Sequence, residues 1–146
     1  TRVRSSAASD VYKRQVNVVS ISNIDELNIY QATKQGMTEV LEHLAIKPQV
    51  ALVDAMPIVS AGIETVSLIH GDALSASIAA ASILAKTYRD DYMNRLHQEF
   101  PCYDWEHNKG YPTKKHRAAI AGHGTTPYHR MTFNLLGDGQ LELFSK

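Results

Sequence analysis

Two stretches, Val50-Ala51-Leu52-Val53-Asp54 and Glu64-Thr65-Val66-Ser67-Leu68-Ile69-His70-Gly71-Asp72, decide the fold. The first is a compact apolar run of strand length that ends in an acid, and Pro57 and Gly62 mark the turn-prone connection behind it. The second is β-branched and closes on His70-Gly71-Asp72. From Leu74 to about Phe100 the chain has no Gly or Pro and is rich in Ala, Ile and Leu, which predicts a long, half-buried helix. Strand, loop, strand and helix in succession predict an α/β domain.

The flanks extend this pattern. Upstream, the β-branched run Val16 to Ile21 predicts a strand, and Ser22-Asn23-Ile24-Asp25 reads as an N-cap. One helix is then expected, with Ile24, Leu27, Val40, Leu41 and Leu44 at helical spacings up to Pro48 and Gly36 as a weak point. Downstream, Pro101 should end the long helix, and Cys102 to Pro112 reads as a polar, aromatic loop. Thr113 can cap a last helix through about Ala121, with Gly122 and Gly124 as its stop.

At 146 residues the chain suits one domain with a single modest core, and 44% hydrophobic against 21% charged residues excludes collagen-like or wholly disordered classes. Fifteen cations balance fifteen carboxylates, so bulk charge announces no nucleic-acid or membrane partner. Cys102 is the only cysteine, which excludes an intrachain disulfide or a thiolate zinc cage and suits a reducing compartment, with the cytoplasm as the expected location. No apolar run reaches the length of a transmembrane helix, and no membrane partner is expected.

Asp54 and Asp72 both stand where the chain leaves a predicted strand, and ligands of open α/β sheets bind beside such ends. Two converging carboxylates make a hard oxygen site suited to Mg²⁺ or Mn²⁺. An Asp at a strand end or helix start is also a common turn former or cap, and spacing alone leaves both readings open. Between residues 86 and 130, eight Lys and Arg face five Asp and Glu, with Tyr103, Trp105, Tyr111 and Tyr128 interleaved. Such a mixture can bind phosphates and stack on sugars or bases, or simply cover a solvated surface. His107, His116, His123 and His129 lack paired zinc-ligand spacing. His129 beside Arg130 reads as a phosphate contact, a proton carrier or a structural histidine.

A run of ordered blocks carries a resemblance. Gly71-Asp72-Ala73, Ile78 to Lys86 with Arg89-Asp90, Phe100-Pro101-Cys102-Tyr103, His107-Asn108-Lys109-Gly110-Tyr111-Pro112-Thr113 with His116, and Thr126 to Phe133 together resemble ribonuclease HII. Ile24-Asp25 with Asn28-Ile29 and Leu52-Val53-Asp54 fit the same pattern, so the resemblance covers about residues 16–134. It implies a ribonuclease H-like α/β fold and an endonuclease that cleaves the RNA strand of RNA-DNA hybrids and DNA at embedded ribonucleotides. Four acids would hold two divalent ions, Mg²⁺ or Mn²⁺, with Asp54 and Asp72 matching the last two. Tyr111 would pack on the sugar at the RNA-to-DNA junction. Lys86, Arg89 and Lys109 resemble cations that contact the nucleic-acid backbone, and Gly110, His129 and Arg130 complete the implied substrate-binding set.

The family's Asp-Glu-x-Gly-Arg-Gly motif has no counterpart here, and Asp25-Glu26 lacks its glycines. The chain is therefore expected to be a C-terminal fragment, its fold incomplete with the first strands missing, two of four metal ligands present and activity impaired. Residues 1–15 carry four cations against Asp10 and are expected to be unstructured, either a basic tail or, preferably, a leftover of cloning, sequencing or assembly outside the fold. Residues 16–134 would form the partial catalytic domain and 135–146 a tail. A monomer is expected. The alternative function is a non-catalytic nucleic-acid-binding remnant that uses residues 86–130.

Overall fold

The computed structural model describes residues 14–137. The expectations for residues 1–13 and 138–146 lie outside the described residues. The chain divides into two units, one ending at Ser82 and the other beginning at Ile83, a boundary that falls inside its longest helix.

In the first unit, α1 (Ile21–Leu27) starts where the Ser20 hydroxyl accepts the Asn23 N–H at 3.2 Å. α2 (Ile29–His43) follows at once, because Asn28 takes φ 70° and its side-chain oxygen accepts the N–H groups of Tyr30 and Gln31. The single helix expected through this region is thus two. Asn tolerates positive φ and is a strong N-cap, so one residue both breaks a helix and starts the next.

The strand expected at Val16–Ile21 does not form. Residues 14–20 have no regular structure, and Asn17 instead donates to the Gly36 carbonyl at 3.4 Å and to Glu39 Oε2 at 2.6 Å. Val19 packs so tightly on α2 that a Cβ added at Gly36 would lie 2.7 Å from its Cγ2. Gly36 costs α2 about 1 kcal/mol of helix propensity, and its bare backbone admits the valine. Gly36→Ala is therefore expected to lower the urea midpoint through overpacking worth about 1–3 kcal/mol. Val19→Ala in the same chain should restore it. A midpoint raised by Gly36→Ala alone would contradict this packing.

The sheet among the described residues is a parallel pair, β1 (Val50–Asp54) and β2 (Glu64–Leu68), in register from Val50 opposite Glu64 to Asp54 opposite Leu68. Ala51 and Val53 are buried, and Val50 and Leu52 alternate to the exposed side. Ala32, Ile58, Ile63 and Ile78 are also buried in this unit. The class is α/β, as expected. The long helix differs in two ways: α3 (Gly71–Leu74) is a separate turn, ended by an extended Ser75, and α4 runs Ala76–Glu99. Within α4 only Ile78 and Leu96 are buried, so it is more exposed than a half-buried helix.

In the second unit, Pro101 closes α4 and opens a 3-10 turn, Pro101–Tyr103. Then come α5 (Trp105–Asn108) and α6 (Lys114–His123). The Thr113 hydroxyl accepts the His116 N–H at 3.2 Å to cap α6, which continues through Gly122 and ends at Gly124, φ 81°. Leu96, Tyr103, Trp105 and Ile120 form the core, with Phe100 packed against it. Tyr103 stacks on Trp105 at 5.1 Å between ring centroids. Among the described residues no helix is long and apolar enough to cross a membrane.

Candidate functional site

The first unit presents the carboxylates. Asp54 is the last residue of β1, and its Oδ1 accepts the Gly71 N–H at 2.8 Å, a bond across seventeen residues. Ala55, at φ 52°, turns the chain away, and its N–H bonds the Leu68 carbonyl at 2.9 Å. Parallel pairing of β1 with β2 thus delivers the end of β2 to Asp54, and His70, in the left-handed region at φ 56°, swings Gly71 onto the carboxylate. Gly71 is buried, and a Cβ there would meet Ile78 Cδ1 at 2.7 Å and Asp54 Oδ1 at 3.3 Å. A side chain at this position would crowd both Ile78 and Asp54. Asp72 follows, exposed, with its Oδ1 accepting the Ala73 N–H at 2.9 Å. The Asp54 carboxylate therefore touches the backbone that carries Asp72. Among the described residues no group of three or more His, Cys, Asp or Glu gathers to hold a metal ion.

The second unit presents Tyr111 on the loop after α5. Lys109 and Gly110 both take positive φ, 48° and 81°. Asn108 is buried: its Nδ2 donates to the Tyr103 carbonyl at 2.7 Å and its Oδ1 accepts the Gly110 N–H at 2.8 Å. The Tyr111 N–H bonds the Asn108 carbonyl at 2.8 Å, and the residue is left 59% exposed.

The three cations expected to contact a nucleic-acid backbone all have internal partners. Lys86 pairs with Asp90 one helical turn on, which holds the Asp90 carboxyl below its ordinary range. Lys109 Nζ bonds Asn94 Oδ1, and Arg89 Nη2 donates to the Lys109 carbonyl at 2.7 Å. Arg130 lies over the Phe133 ring, 3.9 Å from its centroid.

His129, expected at the substrate surface, sits in the core instead. Only 5% exposed, its ring is nearly parallel to that of His116 at 5.4 Å and lies 4.9 Å from that of Tyr103. The turn at Thr126-Pro127-Tyr128 brings the Thr126 N–H to its Nδ1 at 3.0 Å, so Nδ1 is an acceptor and the ring is neutral. Burial, then the neighbouring His116, push its pKa below the ordinary histidine value. Unfolded His129 takes up a proton near pH 6.5, and the folded ring does so only at lower pH. Between those two values the unfolded chain binds more protons, so this contribution is complete above about pH 6.5 and falls as pH drops toward the folded value. Thermal melts should show a lower midpoint at pH 5.5 than at pH 7.5, with a smaller difference in His129→Asn. An equal difference in both proteins would contradict the assignment.

Sequence reading misses Asn94 and Met93, which touch the Tyr111 loop but carry no motif signal, and the buried role of Asn108, which stands inside the recognised block without announcing its two bonds.

Comparison of the sequence with known proteins points to ribonuclease HII. The family model for ribonuclease HII matches residues 3–136, taking in most of the basic segment set apart by composition. The chain is 67% identical over 132 residues to the ribonuclease HII of Bacteroides fragilis strain YCH46, covering 90% of this chain and 66% of that protein. It is 62% identical over 129 residues to that of Bacteroides thetaiotaomicron, covering 88% and 64%. With the ribonuclease HII of Macrococcus caseolyticus it shares 46% over 118 residues, covering 81% and 44%. The chain thus spans just under two thirds of the length of its Bacteroides relatives. Gly71, the aspartates at 54 and 72 and the loop at 108–111 all lie within the match, and the chain belongs to the ribonuclease HII family.

Proposed function

We propose that the chain supplies part of an endonuclease that hydrolyses the RNA strand of RNA-DNA hybrids and cuts DNA at embedded ribonucleotides. The observation that carries this reading is the Gly71 N–H bond to Asp54 Oδ1, which ties one acid to the backbone bearing the other. Asp54 and Asp72 would hold Mg²⁺ or Mn²⁺, and the fit is chemical: both are oxygen donors, and Asp54 is oriented by the Gly71 N–H bond to its Oδ1. When bound, such ions supply an activated water and charge stabilisation at the departing 3′-oxygen, giving 5′-phosphate and 3′-hydroxyl ends.

The chain's own residues do the rest. Asp54 and Asp72 present carboxylate oxygens as ligands, and Tyr111 offers an exposed ring to the sugar at the RNA-to-DNA junction. Lys86, Lys109 and Arg130 supply positive charge for the phosphates, and Gly110 lets the loop bend. Asp54 and Asp72 match two of the four acids that the resemblance implies. The sole, exposed Cys102 supports a reducing compartment, the cytoplasm.

Equilibrium binding to a DNA duplex carrying one ribonucleotide, against the all-DNA duplex, tests the reading. The chain should prefer the first, and Tyr111→Ala should reduce that preference about fivefold, the scale of one aromatic contact. Equal affinity for both duplexes would overturn the assignment. Hybrid binding that is indifferent to loss of Asp54 and Asp72, in a longer form that also fails to cleave, would support the non-catalytic binding module instead.

A further inference from the structure

Arg89 does not stand on the surface as a simple cation. Its Nη2 donates to the Lys109 carbonyl at 2.7 Å, twenty residues along the chain, and its guanidinium carbon lies 5.2 Å from the centroid of the Tyr111 ring. One turn further along α4, Met93 Cε comes within 3.4 Å of where a Gly110 Cβ would be, and Arg89 Nη2 within 3.8 Å. The carbonyl that Arg89 engages belongs to a left-handed residue, whose peptide orientation is set by outside partners. Asn108 holds Gly110 and Tyr111 through their N–H groups, and Arg89 holds Lys109 through its carbonyl. The loop is gripped from both sides, and the same guanidinium plane that grips it covers Tyr111.

We infer that Arg89 is a positioning residue for Tyr111 and not a phosphate contact. It fixes the ring that is proposed above to meet the junction sugar, so this inference rests on that reading. The planar fork is essential to it: a lysine could meet a phosphate as a point charge but could not bond the carbonyl and cover the ring together.

A double-mutant cycle on the chain decides the matter, read as affinity for a duplex with one ribonucleotide. With Tyr111 present, Arg89→Lys and Arg89→Ala should each weaken binding about fivefold. In the Tyr111→Ala background the same changes should cost less than about twofold. The slope of log affinity against log salt should stay unchanged, because no phosphate contact is lost. Equal losses in both backgrounds, a salt slope reduced by about one, or full rescue by Arg89→Lys would overturn the inference. A readout free of ligand separates its failure from that of the functional reading. Arg89→Lys should shift the amide resonances of Gly110 and Tyr111 in the unliganded chain, and unmoved resonances would overturn positioning whatever the chain binds. If the resonances shift but the chain does not distinguish a ribonucleotide, the loop clamp stands as structure, and both the substrate assignment and the role of Arg89 in it fall.

Discussion

Asp54→Asn is expected to weaken Mn²⁺ binding by the chain more than tenfold. In a longer form with all four implied acids, it should reduce divalent-dependent cleavage of an embedded ribonucleotide by more than about a hundredfold. Loss of a partner one shell away from a metal typically costs 10- to 100-fold, and removal of a direct ligand charge should exceed that. The substitution is well controlled. Asn has the same shape, its Oδ1 can still accept the Gly71 N–H, and the circular dichroism and melting point should stay close to those of the parent. Calorimetric titration with Mn²⁺ gives the first readout and an end-point cleavage assay the second. Undiminished Mn²⁺ affinity or full activity in Asp54→Asn would refute the role given to this residue.

The second large effect is on stability. Trp105 is 2% exposed, the most deeply buried large side chain among the described residues. Its ring meets those of Phe100, Tyr103, His116, Tyr128 and His129 at centroid distances from 5.1 to 6.3 Å. Truncating a buried Trp to Ala costs about 3–5 kcal/mol, a large share of the 5–15 kcal/mol that holds a typical domain together. Trp105→Ala should therefore collapse the urea transition of the second unit, followed by circular dichroism because the only tryptophan is gone. The Tyr111 loop should fail with it, since Asn108 at the end of α5 bonds the Tyr103 carbonyl under this cluster. A midpoint displaced by less than about 1 kcal/mol would show that the cluster is not the stabilising core.

Much of this was legible in the residues, for identifiable reasons. β1, β2 and the approach to Asp72 could be read because apolar runs of strand length end abruptly at charged or glycine positions. Thr113 and Gly124 bound α6 as caps do, from local chemistry alone. The misreadings have a common source in contacts distant along the chain. Val16–Ile21 has strand composition, but Asn17 and Val19 find partners on α2, where Gly36 leaves the space. Ser22 and Asn28 are both capping types, and the observed breaks fall at Ser20 and Asn28 because propensity ranks such residues without choosing among them. At the proposed site, the aspartates and Tyr111 stand in the recognised motif blocks. The burial of His129 was not, because it depends on the His116 and Tyr103 rings that the fold brings beside it.

Asp54 and Asp72 are proposed to form one divalent-cation site. Titration of substoichiometric Mn²⁺ into the isotopically labelled chain, followed by paramagnetic broadening of backbone amides, tests it most directly. The amides of Gly71 and Ala73, which bond the two carboxylates, should broaden before any others. Broadening centred instead on Asp104, where His107 and Lys115 already engage the carboxylate, or no selective broadening at all, would contradict the account.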